Sequence, residues 1–220
     1  PHTDPGGWRE NIVVNTANLT LRGSTTAARG NLNDQICPTV VLDGCQTPAA
    51  PAGCNAAGVT VKAGGCSLER VLRRHGYVVF TDSAHNGAVK QSCILGNEED
   101  PIRTSFPHPN AIRVDGNIFQ GGRSESIYLY GDNHVVVNNR IFAGDEGIYV
   151  DGDGGRIAAN TIRGCNDDVI EYYGDDGVIE NNILIGGDGH GIHYVGNNPT
   201  ITGNVVEQMA DDGINVACGS

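Results

Sequence analysis

The sequence predicts an all-β fold, a solenoid of stacked parallel β-coils with about 22 residues in each coil. Three observations support this prediction: an asparagine recurs at nearly constant steps, aliphatic columns keep the same register, and turn-forming residues separate the short apolar stretches. The 220 residues include 32 Gly but one Met and one Trp, a composition typical of short strands joined by tight turns. We therefore expect one domain over residues 1–220.

The asparagine column recurs along the chain at steps of 22, 21, 22 and 22, and each member precedes an apolar pair. Its members are Asn117, Asn139, Asn160, Asn182 and Asn204. A buried amide in such a column can donate to its counterpart one coil away and accept a hydrogen bond in return. We therefore expect a ladder of asparagine side chains at a bend of the solenoid.

Apolar residues form columns in the same register. The column three residues before the asparagine contains Val114, Val136, Ile157, Ile179 and Ile201, and the column two residues after it contains Phe119, Ile141, Ile162, Leu184 and Val206. A third column contains Ile127, Ile148, Ile170, Ile192 and Ile214, followed two residues later by Leu129, Val150, Tyr172, Tyr194 and Val216. One coil cannot bury its own apolar face, but coils stacked about 4.8 Å apart can. The columns therefore predict internal stacks in roughly eight to ten coils.

The first half of the chain is less regular than residues 111–220. We expect an irregular, disulfide-rich insertion at about 31–57 and a long loop at about 96–110. Four of the seven cysteines lie close together, at Cys37, Cys45, Cys54 and Cys66. Because none has the paired spacing of a zinc site, we expect disulfides formed in an oxidising compartment. The odd count leaves one thiol, and Cys218 is either a link to another chain or a buried free cysteine.

The net charge of −12 excludes several partners. Nucleic acid is disfavoured because phosphate binding needs clustered Lys and Arg. Anionic membranes are disfavoured for the same reason, as are polyanionic sugars unless a cation such as Ca²⁺ forms a bridge. Since no apolar run approaches 18 residues, we expect no insertion into a membrane.

The repeat resembles that of the right-handed parallel β-helix superfamily, which includes pectate lyases, polygalacturonases and many secreted repeat proteins. The resemblance is strong from about residue 110 to the end and weaker in "ENIVVNTANLTLRGS", "PTVVLDG" and "GVTVKAGGCSLERVL". It implies that the solenoid is a single-stranded, right-handed parallel β-helix. It also implies an extracellular, secreted or cell-surface protein.

A further resemblance, to the polygalacturonases, is carried by an acidic pair and a "GHG", with Glu146, Asp168 and His190 at two equal steps of 22 along the chain. It implies that Asp167 and Asp168 share the general-acid and water-activating roles. Glu146 would replace the first Asp of that family, and His190 would tune the ionisation of the cluster. The Arg-Lys motif of the family is absent here. The alternative is that the column only braces tight turns; it contains Glu125, Glu146, Asp168, His190 and Asp212.

A second candidate surface follows from the alternation of a β-strand. One residue after the isoleucine column, the side chains should point outward: Tyr128, Tyr149, Glu171, His193 and Asn215. Tyrosines beside carboxylates suit sugar rings. Neighbouring carboxylates suit Ca²⁺, and the candidates are Asp145, Asp167, Asp211 and Asp212. The alternative is a solvated face whose charges discourage aggregation. Three histidines, His75, His85 and His108, have no metal or triad spacing, and we expect them to be ordinary loop residues.

These observations favour an extracellular structural or adhesive solenoid whose acidic face binds glycans or Ca²⁺ without turnover. Because both end coils lack a cap in the sequence, we expect head-to-tail stacking of copies into a filament. The alternative function is a polysaccharide-acting enzyme, a glycoside hydrolase of the polygalacturonase type. A lyase is a weaker alternative, because it needs a strong base and positive charge, and the acidic residues of this surface have no Lys or Arg near them apart from Arg140 at the edge.

Overall fold

The computed structural model describes residues 12–22, 30–32, 35–37, 41–43, 57–74, 77–81, 83–95, 100–121 and 124–219. All regular elements in these ranges are β-strands, which we number β1 to β27 in chain order. Within the same ranges, no helix has the length and apolar character needed to cross a membrane. Cys45, Cys54 and His75 lie outside the described residues.

Three sheets of parallel strands run along the molecule, and each coil contributes one strand to each sheet in its regular part. The front sheet has nine strands: β1 (Ile12–Val14), β6 (Ala57–Val61), β9 (Tyr77–Phe80), β12 (Ile102–Thr104), β15 (Ile127–Tyr130), β18 (Ile148–Asp151), β21 (Ile170–Tyr173), β24 (Ile192–Val195) and β27 (Ile214–Ala217). The second sheet has eight: β2 (Thr20–Arg22), β7 (Ser67–Glu69), β10 (Ala88–Lys90), β13 (Arg113–Asp115), β16 (Val135–Val137), β19 (Arg156–Ala158), β22 (Val178–Glu180) and β25 (Thr200–Thr202).

The third sheet also has eight strands: β5 (Val41–Asp43), β8 (Leu72–Arg74), β11 (Cys93–Leu95), β14 (Ile118–Gln120), β17 (Arg140–Gly144), β20 (Thr161–Cys165), β23 (Ile183–Gly187) and β26 (Val205–Met209). A separate antiparallel pair is formed by β3 (Gly30–Leu32) and β4 (Gln35–Cys37). This architecture confirms the predicted parallel β-solenoid.

The strand register confirms the predicted apolar columns. Ile127, Ile148, Ile170, Ile192 and Ile214 pair in succession along the front sheet. The columns of the second and third sheets pair in the same way. Their central members are at most 2 % exposed, and burying one such aliphatic side chain stabilises the fold by about 1.5–3 kcal/mol.

Two tyrosines occupy inward positions of the front sheet, where the column otherwise carries aliphatic residues. The rings of Tyr172 and Tyr194 stack with centroids 4.9 Å apart and planes 4° apart. Buried hydroxyls need partners. The Tyr172 hydroxyl donates to Gly152 O (2.8 Å) and accepts from Gly155 N–H (2.8 Å). The Tyr194 hydroxyl is bound in the same way by Gly174 O and Gly177 N–H, so both rings fill the core without leaving their polar atom unpaired.

The asparagine column forms the predicted ladder at the bend between the second and third sheets. Asn160 shows its pattern. Its Nδ2 donates to Val136 O (2.9 Å) and to Asn182 Oδ1 (3.0 Å), and its Oδ1 accepts from Asn139 N (2.9 Å) and Nδ2 (3.0 Å). Because every hydrogen-bonding site of the amide is used between coils, the ladder fixes their register.

Two described segments in the first half of the chain differ from the expectation. The predicted long loop at about 96–110 contains a strand of the solenoid, because β12 pairs with β9 and β15. The insertion at about 31–57 contributes β5 to the third sheet.

The cysteines and the last coil bear on two further predictions. Cys66 and Cys165 are buried free thiols, and Cys218 is exposed and free. The last coil exposes Val205, Ile214 and Val216, at 46 %, 48 % and 51 %. Head-to-tail stacking on this coil, and pairing of Cys218 with another chain, stay predictions.

Candidate functional site

The outward side of the front sheet carries two rows of polar and aromatic side chains. The first row is the predicted one, and the strand register aligns Tyr128, Tyr149, Glu171, His193 and Asn215. The second lies two residues further along each strand and contains Tyr130, Asp151 and Tyr173. All of these residues are partly buried. The period-two alternation that predicted the first row also places the second row outward. We call both rows, with the turn that precedes each strand, the candidate face.

Aromatic rings contact one another along this face over successive coils. We call them the aromatic lane, with members Phe106, His108, Tyr128, Tyr130, Tyr149 and Tyr173. The ring centroids are 4.9 Å apart for His108–Tyr130, 4.8 Å for Tyr128–Tyr149 and 5.8 Å for Tyr149–Tyr173, distances typical of favourable aromatic pairs. Phe106 is 84 % exposed at one end. His108 lies outside the strands, as expected of a loop residue, and its ring stacks on Tyr130.

The turns before the front strands stack in register and carry the predicted acidic column. Asp167 N–H donates to Asp145 O (3.1 Å), and Gly189 N–H donates to Asp167 O (3.3 Å). A Cβ on Gly189 would lie 2.4 Å from Asp168 Oδ1 and 2.8 Å from Asp167 Oδ1. Both carboxyls of the acidic pair therefore lie against the next turn, and only a glycine there leaves room for them.

Asp168, Glu171 and His193 form a compact cluster where the acidic column meets the first row. His193 Nδ1 lies 3.1 Å from Asp168 Oδ2 and 3.6 Å from Glu171 Oε1. Asp168 Oδ1 accepts a hydrogen bond from His190 N–H (2.5 Å). The Tyr173 hydroxyl donates to Glu171 Oε1 (2.7 Å), and this bond, with burial, raises the pKa of Tyr173 to about 12. The backbone of the next coil and a lane tyrosine therefore orient the carboxylates.

Glu146 lies between Glu125 and Asp168 in the acidic column, and its pKa is raised. Burial and, after it, the nearby carboxylates of Glu171 and Glu125 raise the pKa of Glu146 to about 8. Its Oε2 atom is buried and has no hydrogen-bond partner among the described residues. At neutral pH this carboxyl is therefore mostly protonated, beside carboxyls whose environments differ from its own.

A second carboxyl pair, which the sequence did not reveal, lies at the other end of the column. Burial, followed by the hydrogen bond to Glu125, raises the pKa of Asp100 to about 6. Burial also raises the pKa of Glu125, but its hydrogen bonds to Asp100 and Ser124 outweigh burial and lower it. Ser124 Oγ donates to Asp100 Oδ1 (2.6 Å). Asp100 therefore keeps its proton to a higher pH than an exposed aspartate does, close to Tyr128 of the lane.

Comparison with protein-family models places these residues in a known fold family. The model described as a right handed beta helix region matches residues 107–220, which is more than half of the chain. The chain belongs to the right-handed β-helix family. Neither the comparison with curated proteins nor the one with solved structures gives a match. The matched segment of this β-helix contains most of the candidate face, including every front strand from β15 to β27.

Among the residues that the structure describes, two side-chain groups of this right-handed β-helix have the geometry to hold a metal ion. One is Asp168, Glu171 and His193, and the other is His190, Asp211 and Asp212; within each, the ligand atoms lie within 4.8 Å of one another. The calcium prediction named Asp145, Asp167, Asp211 and Asp212. Asp145 and Asp167 belong to neither group, and each group includes a histidine, which suits Zn²⁺ better than Ca²⁺.

A shallow groove of about 470 Å³ borders the candidate face, on the side of the third sheet. Residues 164–166, 186–188 and 208–210 line it, at the ends of the third-sheet strands. It contains no ring of the aromatic lane. Burial, with a smaller contribution from Glu146 and Asp145, raises the pKa of the Cys165 thiol to about 12. Because this thiol stays protonated, it is not a nucleophile, and the candidate face, with its rings and clustered carboxyls, is the better site.

Proposed function

We propose that this β-helix binds polysaccharide chains on the candidate face, with the aromatic lane as the surface on which sugar rings stack. The observation that supports this most directly is the continuity of ring contacts over coils, from His108 through Tyr130, Tyr128 and Tyr149 to Tyr173. A linear surface of this kind suits a linear polymer.

The chemistry of the lane fits a sugar ring on two sides. The negative face of an aromatic ring attracts the polarised C–H groups of a sugar. Beside the rings, Asp168 and Glu171 supply oxygen acceptors for hydroxyl groups, and the partly buried tyrosines lose little conformational freedom on binding. The predicted extracellular location agrees with such a ligand and stays a prediction.

Binding of oligosaccharides to the wild type and to Tyr149→Ser tests this proposal by isothermal titration calorimetry. The matched control is Ile183→Ser, which removes an exposed apolar side chain (41 % exposed) from the third sheet. One aromatic contact contributes about 0.5–1.5 kcal/mol, so Tyr149→Ser should weaken binding about 2- to 12-fold. Ile183→Ser should bind as the wild type does. Equal weakening by both variants, or no binding of neutral, cationic or anionic glycans by the wild type, would refute the proposal.

A second candidate function, glycoside hydrolysis, is favoured by one observation. Glu146 keeps a proton at neutral pH beside Asp168 and Glu171, and a protonated carboxyl paired with an ionised one is the arrangement that glycosidases use. Residues one or two coils apart on one face provide the separation that such a pair needs.

Release of reducing ends from each bound glycan tests this second candidate. The wild type should release them and Glu146→Gln should not, because Gln cannot donate a proton to the leaving oxygen. The activity should also fall as pH rises through about 8, where Glu146 ionises. Glu207→Gln, which neutralises an exposed carboxylate on β26 of the third sheet, is the matched control. Activity that persists in Glu146→Gln would exclude this residue as the acid, and no release by the wild type would leave binding alone.

A further inference from the structure

The candidate face differs from the second sheet in how many of its carboxylates have an arginine beside them. On the second sheet, carboxylates pair with arginines at N–O distances of 2.5, 2.8 and 2.5 Å, in Arg22–Glu69, Arg113–Asp115 and Arg156–Glu180. On the front sheet, β15, β18, β21, β24 and β27 contain no Lys or Arg. Arg103 of β12 lies at one end of the face, over the ring of Tyr77 (3.9 Å to the centroid) and 4.0 Å from Asp100.

The consequence is a strip of carboxyl groups beside the aromatic lane that has few basic side chains near it. Glu125, Glu146 and Asp168 lie on three successive coils, and Glu171 lies on the same coil as Asp168. The imidazole of His193 is the basic group in contact with Asp168 and Glu171, and Arg103 lies beside Asp100 at the Glu125 end. The mutual repulsion of the carboxyl groups is visible in Glu146, whose pKa the neighbouring carboxylates help to raise.

We propose that the polysaccharide on this face is cationic, a polymer of amino sugars with free amines. This inference rests on the proposed function. The sugar rings would stack on the lane, and the ammonium groups would lie against Asp168 and Glu171. An ammonium group is a compact charge with three donors, and it matches carboxylates that have acceptor sites left over.

The other two charge classes of glycan fit the face less well. A polyuronate would bring like charges against the strip at a cost of repulsion. A neutral chain would remove water from partly buried carboxylates without replacing it by a counter-charge, which costs free energy. A cationic chain removes the same water and supplies the charge.

The test compares two oligomers that differ in amine charge and N-acetylation, and adds an anionic glycan. The wild-type chain is titrated calorimetrically with a glucosamine oligomer, with its fully N-acetylated counterpart of equal length, and with an oligogalacturonate, at low salt and mildly acidic pH. Acetylation should weaken binding about tenfold or more, the size of one charge pair of about 1.4 kcal/mol. Added salt should weaken binding of the glucosamine oligomer far more than binding of the acetylated one.

Two variants separate a local site from general attraction to an acidic protein. Glu171→Gln and Glu180→Gln each remove one negative charge from the net −12, but Glu180 lies on the second sheet beside Arg156. Glu171→Gln should reduce the preference for the glucosamine oligomer about fivefold, and Glu180→Gln should leave it unchanged.

Each outcome decides between the claims. Equal affinity for the two matched oligomers, or stronger binding of the oligogalacturonate, overturns the cationic assignment and leaves polysaccharide binding in place. Equal effects of the two variants also overturn it, because the attraction would then come from net charge. Absence of binding to all three ligands refutes the proposed function itself. The comparison of matched ligands uses the wild type, so it holds even if a variant folds poorly.

Discussion

Replacing Asn160 with Ala should destabilise the β-helix by about 4 kcal/mol. The side chain is 1 % exposed, and its Oδ1 accepts from both the backbone N–H and the Nδ2 of Asn139. Truncation leaves these two buried donors without a partner, at about 1–3 kcal/mol each. The loss is a large fraction of the roughly 5–15 kcal/mol that is typical of a folded domain.

Equilibrium unfolding in guanidinium chloride, followed by circular dichroism, measures this loss. The matched control is Asn204→Ala, at the last step of the same ladder. Asn204 also accepts from the backbone N–H and Nδ2 of its neighbour, Asn182, but it is only partly buried. Water can replace its hydrogen bonds, so we expect a loss of about 1 kcal/mol. If both variants lose the same free energy, the inner ladder is not isolated from water and the reasoning is wrong.

Three further predictions follow from single residues. The raised pKa of Glu146 means that the unfolded chain holds fewer protons than the folded chain between pH 4.5 and 8, so the stability of the wild type falls as pH rises through this range. Glu146→Gln should reduce that fall by about 2 kcal/mol over the whole range, after allowance for solvent screening, as measured by denaturation at a series of pH values. Burial lowers the pKa of His134 to about 4, so an NMR titration of its ring should have a midpoint near 4. The stability that the neutral ring contributes should be lost as pH falls from 6.5 towards 4. A midpoint near 6.5 would contradict this prediction. Gly174→Ala should lower the free energy of unfolding by about 3 kcal/mol, measured by thermal unfolding, because a Cβ there would lie 2.4 Å from Gly152 O. The control is Gly164→Ala, at φ +73° with no atom within 4 Å, which should cost about 1 kcal/mol. Equal losses would mean that the backbone moves at Gly174 and relieves the clash.

The fold was predictable where the coils have constant length. The asparagine and isoleucine columns of residues 111–220 predicted strand partners correctly, because each coil there repeats the same turns at the same spacing. Around β12 the coils are longer than this, and Ile102 pairs with Val78 on one side and with Ile127 on the other. Extra turn residues changed the period without changing the pairing, so the strand was hidden in a predicted loop.

The candidate site was predictable in its rows but not in its side-chain directions. Alternation placed Tyr149 and Glu171 outward, as the structure has them. Adjacent turn residues, in contrast, are buried to different extents: Asp168 is 8 % exposed, whereas Asp167 is exposed. The spacing of residues along a sequence does not reveal this difference in burial, although Asp168 belongs to a candidate metal group and Asp167 does not. Nor does the spacing reveal the burial that raises the pKa of Glu146.

The same register that stabilises the interior produces the electrostatics of the face. Stacked amides gain hydrogen bonds from coils about 4.8 Å apart, whereas stacked carboxylates repel one another at that spacing by about 1 kcal/mol in water and several times more when partly buried. The first row relieves this repulsion by placing His193 beside Glu171. The acidic column has three carboxyls in succession, at Glu125, Glu146 and Asp168, and the middle one has a carboxyl on each side. Burial is the larger cause of the raised pKa of Glu146, and the neighbouring carboxyls raise it further. A cation bound on this face would therefore be expected to release that proton.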